Sequence, residues 1–468
     1  MEDLPQEDTI NMNYIIQSKK GSGGTASVFL VKPRNVDIIY AAKVLKSNDE
    51  IIKKMNDNEI KYLNILSEQN CPYIIKIIDN GEGPIVRKEK NNGEPLTRKY
   101  IILENAPKRE LADYIIYTNE GLKEDLGKLI FYKILKGIQV IHGEEICHKD
   151  IKLENILLDD KFNPKIADFG LAMENSSELD DFENGTLSYL PPELLEQKPY
   201  DGKKLDIFSL GATLIYLITG NSGFQCAVKG CDMYKKIMDN DELNYWEIIE
   251  NNCGFELSKD FKELYFKMVS YNPNTRPDVQ NIMEHPWFKP IREMDESQLQ
   301  NLEKETEKEL NDRENKIKDM IEDEVELSDD EEDNSNCRSA ADEEEGYFNW
   351  KNILEEKPKQ FNMTFCIKIK SNKRPYSLMN DICKKIEDEM DDCIIKADEK
   401  KLKFKVEFED ENENGKKFIK GNSVTMKAKL YRDTNVELLL KFTKIKGSKK
   451  NFFDKFTAIS KLIKQKNN

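Results

Sequence analysis

The chain lacks any long hydrophobic run. Its longest apolar stretch, around Leu210 to Ile218, is far shorter than the roughly 20 residues that cross a bilayer as a helix. Its start, Met1-Glu2-Asp3-Leu4-Pro5, has no basic region followed by an apolar core, so no secretory signal is expected. The nine cysteines are scattered and none stands in a Cys-x-x-Cys pair. That argues against a disulfide framework and for reduced intracellular thiols. A cytoplasmic location follows as the expectation, and Asn-x-Thr sites such as Asn184-Gly185-Thr186 then carry no meaning for glycosylation. Internal repeats are also absent. Residues 291–345 are almost devoid of aromatics and glycine, which sets them apart from what precedes and follows.

What is present is charge, unevenly spread. The net charge of −16 divides into −11 over residues 1–290, −16 over 291–345 and +11 over 346–468. The 468 residues are enough for two or three domains. The chain thus reads as an acidic body, a more acidic connector and a basic tail domain. Each block alone could be a solvated surface; the contrast between them is the informative part.

Residues 14–45 alternate like paired strands: Tyr14-Ile15-Ile16, Ser27 to Val31, and Tyr40 to Leu45. Residues 50–66 switch to helical spacing, with Ile60, Leu63 and Leu66 on one face. Helical patterns dominate from about 122 to 289. In the connector, Leu299, Leu302, Leu310, Ile317 and Ile321 form a thin apolar stripe, so part of it is expected to be a charged helix. The run Asp329-Asp330-Glu331-Glu332-Asp333 is expected to be disordered. The tail reads as a helix around 376–390, strands around 393–408 and 423–443, and a last helix around 450–464.

Two loops carry the chemistry. His148-Lys149-Asp150-Ile151-Lys152-Leu153-Glu154-Asn155 is followed, thirteen residues after Asn155, by Asp168-Phe169-Gly170. An acid, a lysine and an asparagine on one short loop, with a second acid on the next, are the equipment for binding magnesium nucleotide and orienting a hydroxyl for phosphoryl transfer. Upstream, Gly21-Ser22-Gly23-Gly24-Thr25-Ala26-Ser27-Val28 is a glycine-rich loop between two strands. Glycines let the backbone approach phosphates and turn its N–H groups toward them.

In this order, these motifs resemble the eukaryotic protein kinases, specifically the Ser/Thr kinases of the calcium/calmodulin-dependent and AMP-activated group. The resemblance covers about residues 13–289. It implies an α+β bilobal fold, with a β-rich first lobe and an α-rich second lobe, that transfers the γ-phosphate of Mg-ATP to Ser or Thr of protein substrates. By the same resemblance, Asp150 accepts the proton of the attacking hydroxyl, Lys152 neutralises the γ-phosphate, and Asn155 and Asp168 hold Mg2+. Lys43, in Ala41-Ala42-Lys43, binds the α- and β-phosphates and pairs with Glu59. Gly21 and Gly23 cradle the phosphates. Val28, Ala41, Leu157 and Ala167 sandwich the adenine, with Leu103 as gatekeeper and Glu104-Asn105-Ala106 as hinge. Glu193 pairs with Arg276, and Asp206 anchors the catalytic loop. Lys152 two residues after Asp150 is the Ser/Thr form. Glu154 and Glu110 are candidates to bind an arginine upstream of the phosphoacceptor.

The sequence departs from the family pattern at several places. Ala26 stands for the third glycine and Pro191 for the alanine of Ala-Pro-Glu. Lys149 replaces an arginine that contacts an activating phosphate, and lysine lacks arginine's bidentate fork. Phe182 takes the phosphothreonine position, flanked by Asp180, Asp181 and Glu183. Fixed carboxylates in place of phosphate are therefore expected, with Ser176 and Ser177 left as alternative sites. The tail, 347–468, resembles the kinase-associated 1 domain, a small α+β unit with a basic face. Candidates for that face are Lys441, Lys444, Lys446, Lys449, Lys450, Lys461 and Lys464. Such a face implies acidic phospholipid at a membrane surface, or regulatory subunits, as partners. No nucleic-acid partner is expected. Residues 290–346 are the acidic linker. Two alternatives remain: a pseudokinase scaffold that keeps the fold without turnover, and a calcium-sensor-regulated kinase relative.

Overall fold

The computed structural model describes residues 8–22, 25–86, 95–118, 120–176, 179 and 187–319. It also describes the backbone of 320–329 and of five strands between 364 and 446. Gly23, residues 180–186 and the run 330–333 lie outside the described residues, as do both helices expected in the tail. The chain divides into two compact units, 1–353 and 354–468, each taken by itself below.

The first unit opens with strands β1 (Thr9–Ile10), β2 (Tyr14–Ser22), β3 (Ala26–Pro33) and β4 (Tyr40–Leu45), then helix α1 (Glu50–Ser67), then β5 (Ile77–Val86) and β6 (Leu96–Glu104). The strands close a barrel in the order β1-β2-β3-β4-β6-β5. Its interior holds Phe29, Val31, Ala42, Val44, Tyr100 and Ile102. In β4, Ala41 and Lys43 alternate with Ala42 and Val44, so one face of the strand feeds the barrel core and the other the cleft. Asp49 starts α1 by accepting the N–H of Ile51 at 2.8 Å.

Helices dominate the rest: α2 (Leu111–Ile116), α3 (Glu124–Gly143), α4 (Pro192–Leu195), α5 (Gly202–Thr219), α6 (Asp232–Met238), α7 (Glu242–Cys253), α8 (Lys259–Met268), α9 (Val279–Glu284), α10 (Lys289–Glu293) and α11 (Glu296–Asp329). Between α3 and α4 run four short strands, β7 (Ile146–Cys147), β8 (Ile156–Leu158), β9 (Pro164–Ile166) and β10 (Met173–Glu174). They pair as β7 with β10 and β8 with β9. The loops expected to carry chemistry sit between these strands. Helix α5 is buried on nearly every side and ends at Gly220, whose φ of +71° suits a residue without Cβ.

The expected charged helix in the connector is formed, and it packs against α2 and α3. Asp295 and Gln298 cap it reciprocally, each accepting the other's backbone N–H at 2.8 and 2.9 Å. Leu302, Leu310 and Ile317 are buried, at the spacing of one helical stripe. Among the described residues, no helix is long and apolar enough to cross a membrane.

The second unit shows five antiparallel strands, β11 (Thr364–Lys370), β12 (Cys393–Asp398), β13 (Lys403–Phe408), β14 (Val424–Arg432) and β15 (Glu437–Lys446), in the order β11-β15-β14-β13-β12. Lys441, Lys444 and Lys446 fall on β15. The other candidates for the basic face lie outside the described residues.

Candidate active site

Sheet register sets the cleft. Val28 on β3 stands opposite Lys43 on β4, and Ala41 opposite Leu103 on β6. Val28, Leu103 and Leu157 are half-buried apolar side chains, as the walls of an open cleft should be. Ala41 and Ala167 are buried beside them. Gly21 pairs with Val28 near the end of β2, so the start of the glycine-rich run lies beside this wall.

Lys43 Nζ donates to Glu59 Oε2 at 2.6 Å and to Asp168 Oδ1 at 3.0 Å. Glu59 is buried on α1. Burial alone would lower the Lys43 pKa; the Asp168 and Glu59 carboxylates more than offset this and hold it raised. The lysine is thus a permanent cation, positioned by one helix and one loop. The pair expected from sequence is formed, and Asp168 joins it.

Asp150 Oδ2 accepts from Lys152 Nζ at 2.7 Å and from Asn155 Nδ2 at 2.8 Å. Asn155 Nδ2 also donates to the Asp150 carbonyl at 2.8 Å. Burial pulls the Lys152 pKa down, but the charges of Asp150 and Glu154 leave it raised. The loop is held from below. Asp206, fully buried on α5, accepts the backbone N–H of His148 and of Lys149, each at 2.8 Å. That fixes Lys149 at φ +65°, a left-handed conformation uncommon for a non-glycine residue. Asp168 is left-handed too, at φ +66°, a type of strain that clusters at functional sites. His148 Nε2 lies 3.1 Å from the Ala167 carbonyl, tying the two loops together.

One atom in this cluster is unsatisfied. Asn155 Oδ1 is buried with no hydrogen-bond partner among the described residues. A buried acceptor left unpaired is costly, and a hard cation is what an amide oxygen beside a carboxylate suits. Among the described residues, no group of three or more His, Cys, Asp or Glu gathers to hold a metal. Asn155 and Asp168 offer an amide and a carboxylate oxygen, the donor types that a hard divalent cation takes.

The Glu104 carboxylate is engaged outside the adenine wall, with Lys165 Nζ at 2.9 Å and the Lys76 N–H at 2.8 Å. Only its backbone is left for a base. Lys20 was not singled out by sequence. It stands immediately before Gly21, and its ammonium donates to the Ala106 carbonyl and, at 3.4 Å, to Asn105 Oδ1. Burial lowers its pKa, with Glu110 acting the other way. A lysine next to a glycine-rich loop was the available signal; its reach to the hinge was not legible.

Farther along, Arg276 grips Glu193 through two hydrogen bonds, of 2.6 and 2.8 Å, as expected. Glu154 faces the same loop, and burial raises its pKa against the lowering effect of Lys152. Tyr189 reaches toward it at 3.5 Å. Asp180, Asp181, Phe182 and Glu183 lie outside the described residues.

Residues 14–288 match the family model of the protein kinase domain. CBL-interacting serine/threonine-protein kinase 13 of Arabidopsis thaliana is 31% identical over 291 residues, which cover 61% of this chain and 53% of that protein. CBL-interacting protein kinase 2 of Oryza sativa subsp. japonica is 33% identical over 255 residues, 54% of this chain and 55% of that protein. Aurora kinase B of Danio rerio is 28% identical over 270 residues, 58% of this chain and 77% of that protein. For the first of these relatives, the chain spans about half of the relative's length.

Proposed function

This chain belongs to the protein kinase family, and we propose that it is an active serine/threonine kinase that transfers the γ-phosphate of Mg-ATP to protein hydroxyls. The observation that carries the reading is the pairing of Asp150 with Lys152 and Asn155, together with Lys43 joining Glu59 to Asp168. The names of the relatives, serine/threonine kinases among them, support the residue class of the acceptor.

In this reading the substrate oxygen forms its bond to the γ-phosphorus while the bond to the β–γ bridging oxygen breaks. The hydroxyl proton goes to Asp150. Lys152, held 2.7 Å from Asp150, lies where it can neutralise the transferring group. Lys43 holds the α- and β-phosphates, and Glu59 holds Lys43. Gly21 and Gly23 approach the phosphates, while Val28, Ala41, Leu157 and the backbone of Glu104 and Ala106 receive the base. Bound Mg2+, held by Asn155 and Asp168, would neutralise phosphate charge. Little covalent work falls to the protein, so positioning and electrostatics supply most of the rate. Glu154 and Glu110, two neighbouring carboxylates, favour substrates with a basic residue upstream.

The basic tail, 347–468, is proposed as a regulatory, kinase-associated 1-like domain. It would act at an acidic membrane surface or on regulatory subunits, each lysine near such a surface contributing on the order of 1 kcal/mol. The location is then cytoplasmic and peripheral. A second reading has one specific support: several relatives are named CBL-interacting, so a partner of that kind would regulate this chain.

The test is phosphate transfer from Mg-ATP to a basic serine peptide by the full chain and by Asp150→Asn. Transfer by the first, lost in the second, is expected. Tight nucleotide binding without transfer in either would establish the scaffold instead.

A further inference from the structure

Helix α11 does more than cover apolar surface. Its buried stripe includes Arg313, 4% exposed, and all three guanidinium nitrogens donate. Nη1 donates to the carbonyls of Tyr114 at 3.1 Å and Glu120 at 2.6 Å, and to Thr118 Oγ1 at 3.0 Å. Nη2 donates to the Gly121 carbonyl at 2.7 Å, and Nε to Glu309 on the same helix at 2.9 Å. These are the carbonyls that the end of α2 and the turn after it leave without helical partners. The turn is tight: a Cβ at Gly121 would stand 2.0 Å from the Ile218 carbonyl oxygen.

The next residue grips the other end. Glu314 Oε2 pairs with Lys108 Nζ at 2.8 Å, in a largely buried contact. Lys108 lies two residues past Ala106; its N–H donates to the Leu158 carbonyl at 3.2 Å. Its ammonium also sits 4.5 Å from the Phe162 ring centroid. Phe162 packs edge-on against Tyr114. The strap from Ala106 to Gly121 is therefore held at both ends by adjacent residues of α11. Within that strap lie Ala106, whose carbonyl takes Lys20, and Glu110, which bridges to Leu157.

We propose that Arg313 and Glu314 are positioning residues for nucleotide binding: by clamping both ends of the strap 106–121 from outside the cleft, they set the geometry of the nucleotide mouth. Neither touches the cleft, and both act through Ala106 and Glu110. The proposal rests on the kinase reading above. It also makes α11, the segment leading toward the acidic run and the tail, a handle on the site. Whatever draws α11 off the catalytic part weakens ATP binding before it touches chemistry.

The test uses the full chain, with kcat and KM for ATP measured on a saturating basic peptide. Arg313→Met should raise KM about ten-fold with kcat within about two-fold, the split expected of lost ground-state positioning. Glu314→Gln should raise KM about three-fold, since one charged hydrogen bond is weakened rather than a fork removed. Arg313→Lys should recover part of the loss, because an ammonium reaches some of these carbonyls. Glu303→Gln is the control. It weakens another α11 contact, the 2.7 Å pair with Lys133, away from the strap, and should leave KM unchanged. Amide exchange should quicken over 111–121 in Arg313→Met and stay as it is in α8. An unchanged KM in Arg313→Met, or an equal rise in Glu303→Gln, overturns the proposal. If the wild-type chain transfers no phosphate, the kinase reading fails instead. ATP affinity of the same variants by calorimetry then still decides this one.

Discussion

Arg276 and Lys43 are both cations held by a buried glutamate, and the two sites are finished differently. Arg276 spends its guanidinium on Glu193 twice, on the Lys204 carbonyl at 3.1 Å and on the Ser270 carbonyl at 2.9 Å. Its flat face lies 4.9 Å from the Phe208 ring. The Arg276 side chain is fully shielded from solvent. The Lys43 site keeps openings. Lys43 and Asp168 remain partly exposed, at 19% and 35%, and Asn155 Oδ1 is buried with no partner among the described residues. A closed cluster of charges holds elements together. An open one keeps valences for something that arrives.

That contrast predicts opposite phenotypes. Asp168→Asn removes a carboxylate from the open cluster. It should cost about 10³-fold in kcat, the scale of losing one preorganised electrostatic group. The melting temperature should change little, because Lys43 keeps Glu59. Calorimetric melting beside steady-state assays checks both halves. A fall in stability as large as that of the next variant would erase the distinction.

Arg276→Ala opens the closed cluster. It strands the Glu193 carboxylate inside the protein and should destabilise it by about 3–5 kcal/mol, as breaking one side of a buried pair does. Chemical denaturation at fixed pH reads this directly. Turnover per folded molecule should change far less than in Asp168→Asn. A variant that unfolds no more readily than wild type would show that the pair's desolvation cancels its attraction.

The open cluster was the more legible of the two kinds of feature. Asp150, Lys152, Asn155 and Asp168 sit on two short loops, and the resemblance of those loops to protein kinase motifs singled them out. The Glu193–Arg276 pair and the Asp206 anchor followed from motifs at fixed order. The grip of α11 was hidden for a physical reason. Its stripe looked thin because an arginine and a threonine, Arg313 and Thr306, fill positions that apolar residues usually hold. Their acceptors include backbone carbonyls, which carry no signature in side-chain type. Lys20 was hidden similarly: its partner is the Ala106 carbonyl. Glu104 was expected at the hinge, and where its carboxylate goes, to Lys165, was not readable. Position along a strand was readable; the destination of a long side chain was not.

The smallest effect joins the two kinds of site, because His148 is both buried and next to the chemistry. Burial lowers its pKa, and the charges of Asp206, Asp150 and Asp168 only partly counter this. Its contacts agree: Nδ1 accepts the Asp150 N–H at 3.3 Å and Nε2 faces the Ala167 carbonyl at 3.1 Å, which is the neutral ring's pattern. In the unfolded chain the ring titrates near 6.5. Above that value both states are neutral and the group contributes no pH dependence. Below it, the unfolded chain takes up a proton that the folded one resists. Stability should then fall by up to about 1.4 kcal/mol per pH unit until the folded ring titrates. His148→Gln should lose that slope. His285, whose pKa is also lowered by burial, is common to both chains and cancels in the difference. Denaturation curves for the pair between pH 5 and 7.5 should diverge below about 6.5; parallel curves would mean that the folded protein accepts a charged His148 at no cost.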